Sequence, residues 1–262
     1  MGGKIKQILI IIFVLVLIIL IWEFLINYFE VPKRIVPKPS DLYIFIKKEF
    51  FLQHSVRYQS VLTKTIFSLR DAFIGFVIAL IVGLGLGIVL AHSKVIYSLL
   101  FPLLFLTQLI PVPALAPVIA TMLGYGYPTK IFIITLFLIF PISIAVKNCI
   151  LNIPISYKDL ISTYSIQRVK KYRYLIFPSL VPTLLSQMKV LSTASIVATI
   201  ITELPLSVKG GIGKDIYNSF NNQMIPRVWV SVILISIASL TIFEGITILE
   251  KYINTKYKYG EY

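Results

Sequence analysis

Long uncharged apolar runs alternate with short polar connections along the chain. Residues 8–22 read ILIIIFVLVLIILIW without a charge, and the run reaches Phe29 with only Glu23 and Asn27 interrupting it. Further runs cover about 65–91, 96–123, 130–150, 181–204 and 228–250. Each is close to the roughly 20 residues that a helix needs to cross a bilayer. None alternates with period two, and backbone in lipid must satisfy its own hydrogen bonds, so helices rather than a barrel are expected. The pattern predicts an all-α polytopic membrane bundle of about six transmembrane helices.

The first run reads as an uncleaved anchor. Large aliphatic residues favour insertion by about 0.3–0.6 kcal/mol each, which together outweighs the ~3 kcal/mol set against one acid, and Glu23 lies off-centre. Lys4 and Lys6 could begin a signal peptide, but the apolar core is too long and no small-residue cleavage site follows.

Composition supports the membrane class: 57% of the 262 residues are hydrophobic, 14% are charged, and the mean hydropathy is +0.88. A net charge of +14 would suggest nucleic acid in a soluble protein. Here the cations flank apolar spans, where anionic headgroups or an acidic partner account for them, and no nucleic-acid motif accompanies the charge. Assigning the loops alternately to two sides nearly balances the cations, so charge leaves the orientation open. The single cysteine, Cys149, cannot form an intrachain disulfide and reads as a buried thiol. His54 and His92 are isolated, lack metal spacing and are assigned no role. No nucleophile, base and orienting group can be assembled, so a non-catalytic chain is expected.

Several features inside the spans are informative. Gly75, Gly83, Gly85 and Gly87 lie in the second span, where small residues let helix backbones approach closely. They fall within a span without a phosphate-loop lysine, which argues against a phosphate site. Gln108, Pro111, Pro113 and Pro117 lie in the third span. Each proline deletes a backbone donor, and irregular backbone at membrane depth is tolerated where it is buried or lines a watery cavity. This segment is therefore a candidate pathway wall or gate, with a packing kink as the alternative. Gln187, Lys189 and Glu203 are expensive in lipid and should face the bundle interior, although snorkelling could also account for Lys189 and Glu203. Arg70 and Asp71 are adjacent, so they should not share a helix face and are expected to pair with other helices.

Residues 159–178, DLISTYSIQRVKKYRYLIFP, form a basic interruption between the fourth and fifth spans. Ser156 followed by Asp159 predicts a capping-box helix start after Pro154. Tyr157, Leu160, Ile161 and Tyr164 then make an apolar stripe at helical spacing. Ser165 is expected to cap a second short helix bearing a stripe of Val169, Tyr172 and Ile176. Helices of about ten residues must pack on something, either the membrane interface or a partner protein.

The same segment resembles the "EAA" loop of binding-protein-dependent ABC importer permeases. Asp159 stands at the acid, Leu160 and Ile161 at the alanines, Ser165 at the glycine, and Phe177-Pro178 at Leu-Pro, with Pro178 identical. SLRDAFIGFVIALIVGLGLGIVLAHS resembles the family's first core span, and PLLFLTQLIPVPALAPVIATMLGYG its proline-broken span. TELPLSVKGGIG resembles an acid followed by Gly-Leu-Gly, here Glu203 and Gly211-Ile212-Gly213. The resemblance covers roughly residues 35–250 and is greatest to permeases of the nitrate, sulfonate and taurine type, some of which handle a thiamine pyrimidine precursor or riboflavin.

The resemblance implies a multi-pass cell-membrane permease subunit without a cofactor of its own. ATP and Mg would be bound by separate ABC ATPase subunits. An extracytoplasmic solute-binding protein would deliver a small anion such as sulfonate, taurine or nitrate, and a second permease subunit, as a homodimer, would complete the pathway. Residues 155–177 would be cytoplasmic coupling helices, with Asp159, Leu160, Ile161, Tyr164, Ser165, Arg168 and Pro178 contributing to the ATPase contact. Gln108, Pro111, Pro113, Gln187 and Glu203 are candidate pathway residues, and Gly211 and Gly213 lie in an external loop. Both termini would be cytoplasmic. The implied organisation is an anchor at 1–30, an extracytoplasmic connection at 31–64, a core at 65–250 and a cytoplasmic tail at 251–262. A secondary transporter is the rival class, for which no internal repeat is found.

Overall fold

The computed structural model describes residues 2–49, 60–204 and 211–257, and every regular element among them is helical. The helices are α1 (Gly2–Tyr28), α2 (Pro39–Lys47), α3 (Val61–His92), α4 (Lys94–Leu109), α5 (Ala116–Leu123), α6 (Tyr127–Leu151), α7 (Ile155–Thr163), α8 (Arg168–Lys171), α9 (Phe177–Glu203), α10 (Ile212–Asn221) and α11 (Ile225–Tyr257). A 3-10 turn, Val112–Leu115, precedes α5, and a π-helical turn, Tyr172–Ile176, joins α8 to α9. His54 lies outside the described residues.

Among the described residues, five stretches are long and apolar enough to cross a membrane: Leu9–Tyr28, Val61–His92, Tyr127–Leu151, Arg168–Glu203 and Ile225–Lys256. The predicted span at 96–123 is instead a bent pair, Lys94–Leu109 and Val112–Leu123, meeting at 80°. Pro111 explains the break. It holds the preceding Ile110 in an extended conformation (φ −88°, ψ 132°), outside the helical region. The prolines therefore do not share one helix. The fifth span also begins earlier than expected, because α8, the π-turn and α9 run on as one 36-residue stretch.

The chain divides into two compact units. The larger comprises Ile66–Lys214 and Ser236–Tyr262. Its core is built on α6 and α9, with Ile134, Leu138, Ile142 and Val146 packed among Leu180, Leu191 and Ala198 and against Phe76 and Ala79 of α3. A Cβ at Gly75, Gly83 or Gly87 would collide with Ile134, Ile142 or Val146 respectively, so these glycines set the approach of α3 to α6. Gly85 has nothing within 4 Å and does not belong to that contact. A smaller cluster of Val112, Ala116, Ala120 and Ile133 seats α5 and its 3-10 turn against α6. Lys189 of α9 reaches Glu250 of α11 at 2.5 Å, and Ser186 donates to the same carboxylate. Lys189 is therefore paired inside the unit and does not snorkel.

The smaller unit comprises Met1–Thr65 and Asp215–Ile235. Trp22 of α1 meets Trp229 of α11 with ring centroids 5.2 Å apart. Asp215 accepts Arg227 Nε at 2.9 Å and also pairs with Lys64, while Arg227 Nη1 reaches Glu49 at 3.4 Å. Lys33 donates to Asp41 at 2.8 Å. This hydrogen bond holds the Asp41 carboxyl below its ordinary pKa, with a further bond from the Lys38 backbone N–H acting in the same direction.

Candidate functional site

Glu203 ends α9 with its carboxylate fully buried, a position that is tolerable only if the charge is paired and its oxygens are bonded. Lys130 Nζ, itself 1% exposed in the first turn of α6, donates to Glu203 Oε1 at 2.7 Å and to Asp71 Oδ2 of α3 at 2.6 Å. Ser68 of α3 donates its hydroxyl between the two Glu203 oxygens at 2.9 and 2.8 Å, and its Oγ accepts the Ile212 N–H at 2.8 Å. The Gly213 N–H donates to Glu203 Oε2 at 2.8 Å. Glu203 thus serves as an acid at the N-terminus of α10, where unpaired backbone N–H groups favour negative charge.

This arrangement explains the acid and glycine pattern in physical terms. A Cβ on Gly211 would occupy the space of the Glu203 carboxyl group, and one on Gly213 would strike the Ile200 carbonyl and Glu203 Cβ. The residues between them, 205–210, lie outside the described part of the chain. Arg70 does bond its neighbour Asp71, through Nε at 3.1 Å and Nη2 at 3.0 Å, contrary to the expectation from helix spacing. Its long side chain folds back along the helix, with the guanidinium 5.6 Å from the Phe67 ring centre and 5.7 Å from that of Tyr127. Two acids and two bases therefore balance: Asp71 lies between Arg70 and Lys130, and Lys130 lies between Asp71 and Glu203.

The candidate pathway residues do not converge. Gln108, in the last turn of α4, donates through Nε2 to the Phe137 carbonyl of α6 at 3.0 Å. That carbonyl is available because Pro141, four residues further along α6, has no N–H to return to it. The Gln108 amide thus satisfies a backbone group that proline left unpaired. Pro111 is exposed at the break and Pro113 is buried in the 3-10 turn. Gln187 lines a separate cavity of about 460 Å³ with Asn148, Asn152 and Thr183, at the junction of α6 and α9.

In the basic segment, α7 begins at Ile155 with Pro154 as its N-cap and no side-chain cap, so the expected Ser156 and Asp159 capping box does not form. Asp159 is exposed, and its carbonyl accepts the Ser162 hydroxyl at 2.8 Å. Ser165 likewise does not cap the second helix, whose N-cap is Gln167. Instead Ser165 takes φ 47° and ends α7. The Ile166 N–H returns to the Ile161 carbonyl at 3.1 Å and the Ser165 N–H to Ser162 at 3.2 Å, the paired bonds of a Schellman turn. This is the left-handed corner that the resemblance expects of glycine.

The second helix is one turn, Arg168–Lys171, and the π-turn follows. Pro178 stands in the first turn of α9 and cannot bond the Tyr174 carbonyl, and widening the preceding turn relieves the clash of its ring with that group. The π-turn breaks the expected stripe, leaving Val169 exposed while Ile176 joins the core. An apolar groove of about 340 Å³ runs between α7 and the π-turn, lined by Tyr157, Leu160, Ile161, Ile166 and Leu175 and edged by Lys170 and Lys171. Tyr164, 74% exposed, projects beyond it, and Arg168 lines a different concavity. His92, left without a role by the sequence, sets its ring 3.1 Å from the Tyr172 hydroxyl.

Comparison with known proteins assigns the class. Residues 83–259 match the family described as binding-protein-dependent transport system inner membrane component, and the chain belongs to that family. It is a multi-pass membrane protein and an ABC importer permease subunit. It is 27% identical over 70% of its length to the nitrate import permease protein NrtB of a Synechocystis species, covering 66% of that protein. It is 24% identical over 72% of its length to the bicarbonate transport system permease protein CmpB of Synechococcus elongatus, covering 68%. It is also 24% identical over 68% to the formylaminopyrimidine transport permease protein ThiX of Halalkalibacterium halodurans, covering 70%. A solved amino acid ABC transporter shares the fold with a TM-score of 0.58 at 14% identity, over 73% of this chain and 93% of that one.

Proposed function

We propose that this permease is driven by a separate ATPase docking at the groove between α7 and the π-turn, and that its solute is a small anion. The observation that carries the docking reading is the groove itself. Its floor is aliphatic and aromatic, its edge carries Lys170 and Lys171, and it receives no other described helix. An apolar concavity with a cationic edge suits an amphipathic helix or loop of a partner. ATP and Mg belong to that partner, and a binding protein supplies the solute on the opposite face. Closure of two ATPases would tilt the spans of two permease subunits, as a homodimer, between inward-open and outward-open states.

The anion reading draws on the nitrate and bicarbonate relatives, with sulfonate and taurine in the same chemical class. The formylaminopyrimidine relative supports a pyrimidine precursor as the second reading. Net charge lends the anion little support, because Lys64, Lys130 and Arg227 are all consumed in internal ion pairs. The test is uptake by proteoliposomes containing the permease, its ATPase and its binding protein, with ATP enclosed and labelled nitrate, bicarbonate, taurine or formylaminopyrimidine outside. ATP-dependent accumulation of one of the anions is expected, and accumulation of the pyrimidine alone would replace the anion reading. Leu160→Asp with Tyr164→Asp is expected to abolish co-purification of the ATPase. Normal co-purification of that double variant would sink the docking claim.

A further inference from the structure

We infer that the face formed by Arg168, Val169, Tyr172, Arg173 and Phe177 binds an anionic phospholipid, the two guanidiniums taking the headgroup phosphate and the apolar side chains the start of an acyl chain. These five residues line a concavity of about 550 Å³ that shares no lining residue with the groove between α7 and the π-turn. The π-turn creates this face. The Phe177 N–H bonds the Tyr172 carbonyl, and an i→i+5 turn stacks side chains five apart that a regular α-helix would splay. Tyr172 and Phe177 stand at that spacing, with ring centroids 6.2 Å apart, and Arg168 and Arg173 line the same concavity.

The wall of the concavity is preformed. His92 stacks on Tyr172 with centroids 5.8 Å apart and also meets its hydroxyl, fixing the ring from the end of α3. The charge is unspent, because among the described residues neither Arg168 nor Arg173 has a carboxylate partner, and Arg173 only approaches the Tyr174 ring at 5.7 Å. Placement selects lipid over a soluble anion. The concavity lies in the turns that lead into α9, within a stretch able to cross a membrane by length and composition, and basic side chains beside an apolar span suit anionic headgroups. Guanidinium forks suit phosphate oxygens, while Val169, Tyr172 and Phe177 offer a small free anion nothing. This inference stands apart from the ATPase reading, which concerns the other groove.

The test is thermal unfolding of the purified full chain in detergent with added phosphatidylglycerol or phosphatidylcholine, alongside native mass spectrometry for retained lipid. Phosphatidylglycerol is expected to raise the unfolding midpoint by several degrees and to remain bound, whereas phosphatidylcholine does neither. R168Q/R173Q is expected to lose that specific shift and K170Q/K171Q to keep it. If R168Q/R173Q does not accumulate, Val169→Glu at its exposed position gives the same readout by placing an acid between the guanidiniums. Equal shifts from both lipids, or a phosphatidylglycerol shift that survives in R168Q/R173Q or in Val169→Glu, would overturn the inference. Loss of ATPase association in R168Q/R173Q with an intact lipid shift would assign the face to the protein partner and overturn it equally.

Discussion

Ser165 carries strain that glycine would not. It holds φ 47° at the corner after α7, where an L-residue bears a penalty of about 1–2 kcal/mol from contact between Cβ and its own backbone. The two Schellman bonds from the Ile166 and Ser165 N–H groups hold it there. Part of any gain from glycine is offset by its greater freedom in the unfolded chain. Ser165→Gly is therefore expected to stabilise the protein by about 1 kcal/mol and to leave transport intact. A rise of the thermal midpoint in detergent would show this, whereas a fall would mean that the serine hydroxyl contributes something the geometry does not reveal. The corner is legible in the sequence through Ser165's place in the pattern, but the capping role expected of it is not the one it plays. Glu203, Gly211 and Gly213 are legible as a set, yet Lys130 and Ser68 are not. Their pairing joins residues 73 and 135 positions from Glu203, a separation that no local pattern records. The available signal is complementary charge at span ends assigned to one side: Asp71 and Lys130 begin spans at the side where Glu203 ends one.

At the scale of elements, hydrophobic runs locate the spans well because the requirement for a bilayer-length apolar stretch is strong and local. The break at Ile110–Pro111 is also legible, since proline constrains the residue before it whatever the surroundings. The π-turn is not, because a 3.6-residue period imposed on Val169, Tyr172 and Ile176 hides the clash that Pro178 sends back into the turn before it. The coupling of α4 to α6 through Gln108 and the Phe137 carbonyl yields a sharp expectation. Gln108→Leu should destabilise by about 0.5–1.5 kcal/mol, the net range for one lost hydrogen bond at an exposed position. In a Pro141→Ala background the backbone N–H restored at that position can return to Phe137, so the same change should have little effect. A double-mutant cycle read by thermal unfolding measures the difference. Additive effects of the two substitutions would remove Pro141 as the reason for Gln108.

For the whole molecule, the number of crossings follows from the directions of α3 and α6, which run parallel because Gly75, Gly83 and Gly87 meet Ile134, Ile142 and Val146 in the same order. Five stretches cross by length and composition, and the bent pair α4 and α5 makes a sixth if it passes through. A 16-residue α4 spans roughly 24 Å, short of the ~30 Å hydrocarbon core, and α5 turns away by 80°, so composition alone does not distinguish a broken span from a re-entrant one. Cation counts do not help, because Lys64, Lys130 and Arg227, read from sequence as loop charges, are used in ion pairs and do not report a side. Parity separates the cases. Two spans, α9 and α11, lie between the basic segment and the residues after α11, so those two regions face the same side either way. With six crossings the residues before α1 join them, and with five they lie opposite. Six are expected, because parallel α3 and α6 require the chain to recross between them, and Gln108 with the cluster of Val112, Ala116, Ala120 and Ile133 supplies the packing that irregular backbone at membrane depth requires. Reporter fusions before α1, after Ser165 and after α11 should all report the cytoplasm. A fusion before α1 that alone reports the opposite side would mean that α1 does not cross, and the proposed cytoplasmic placement of both ends would fall with it.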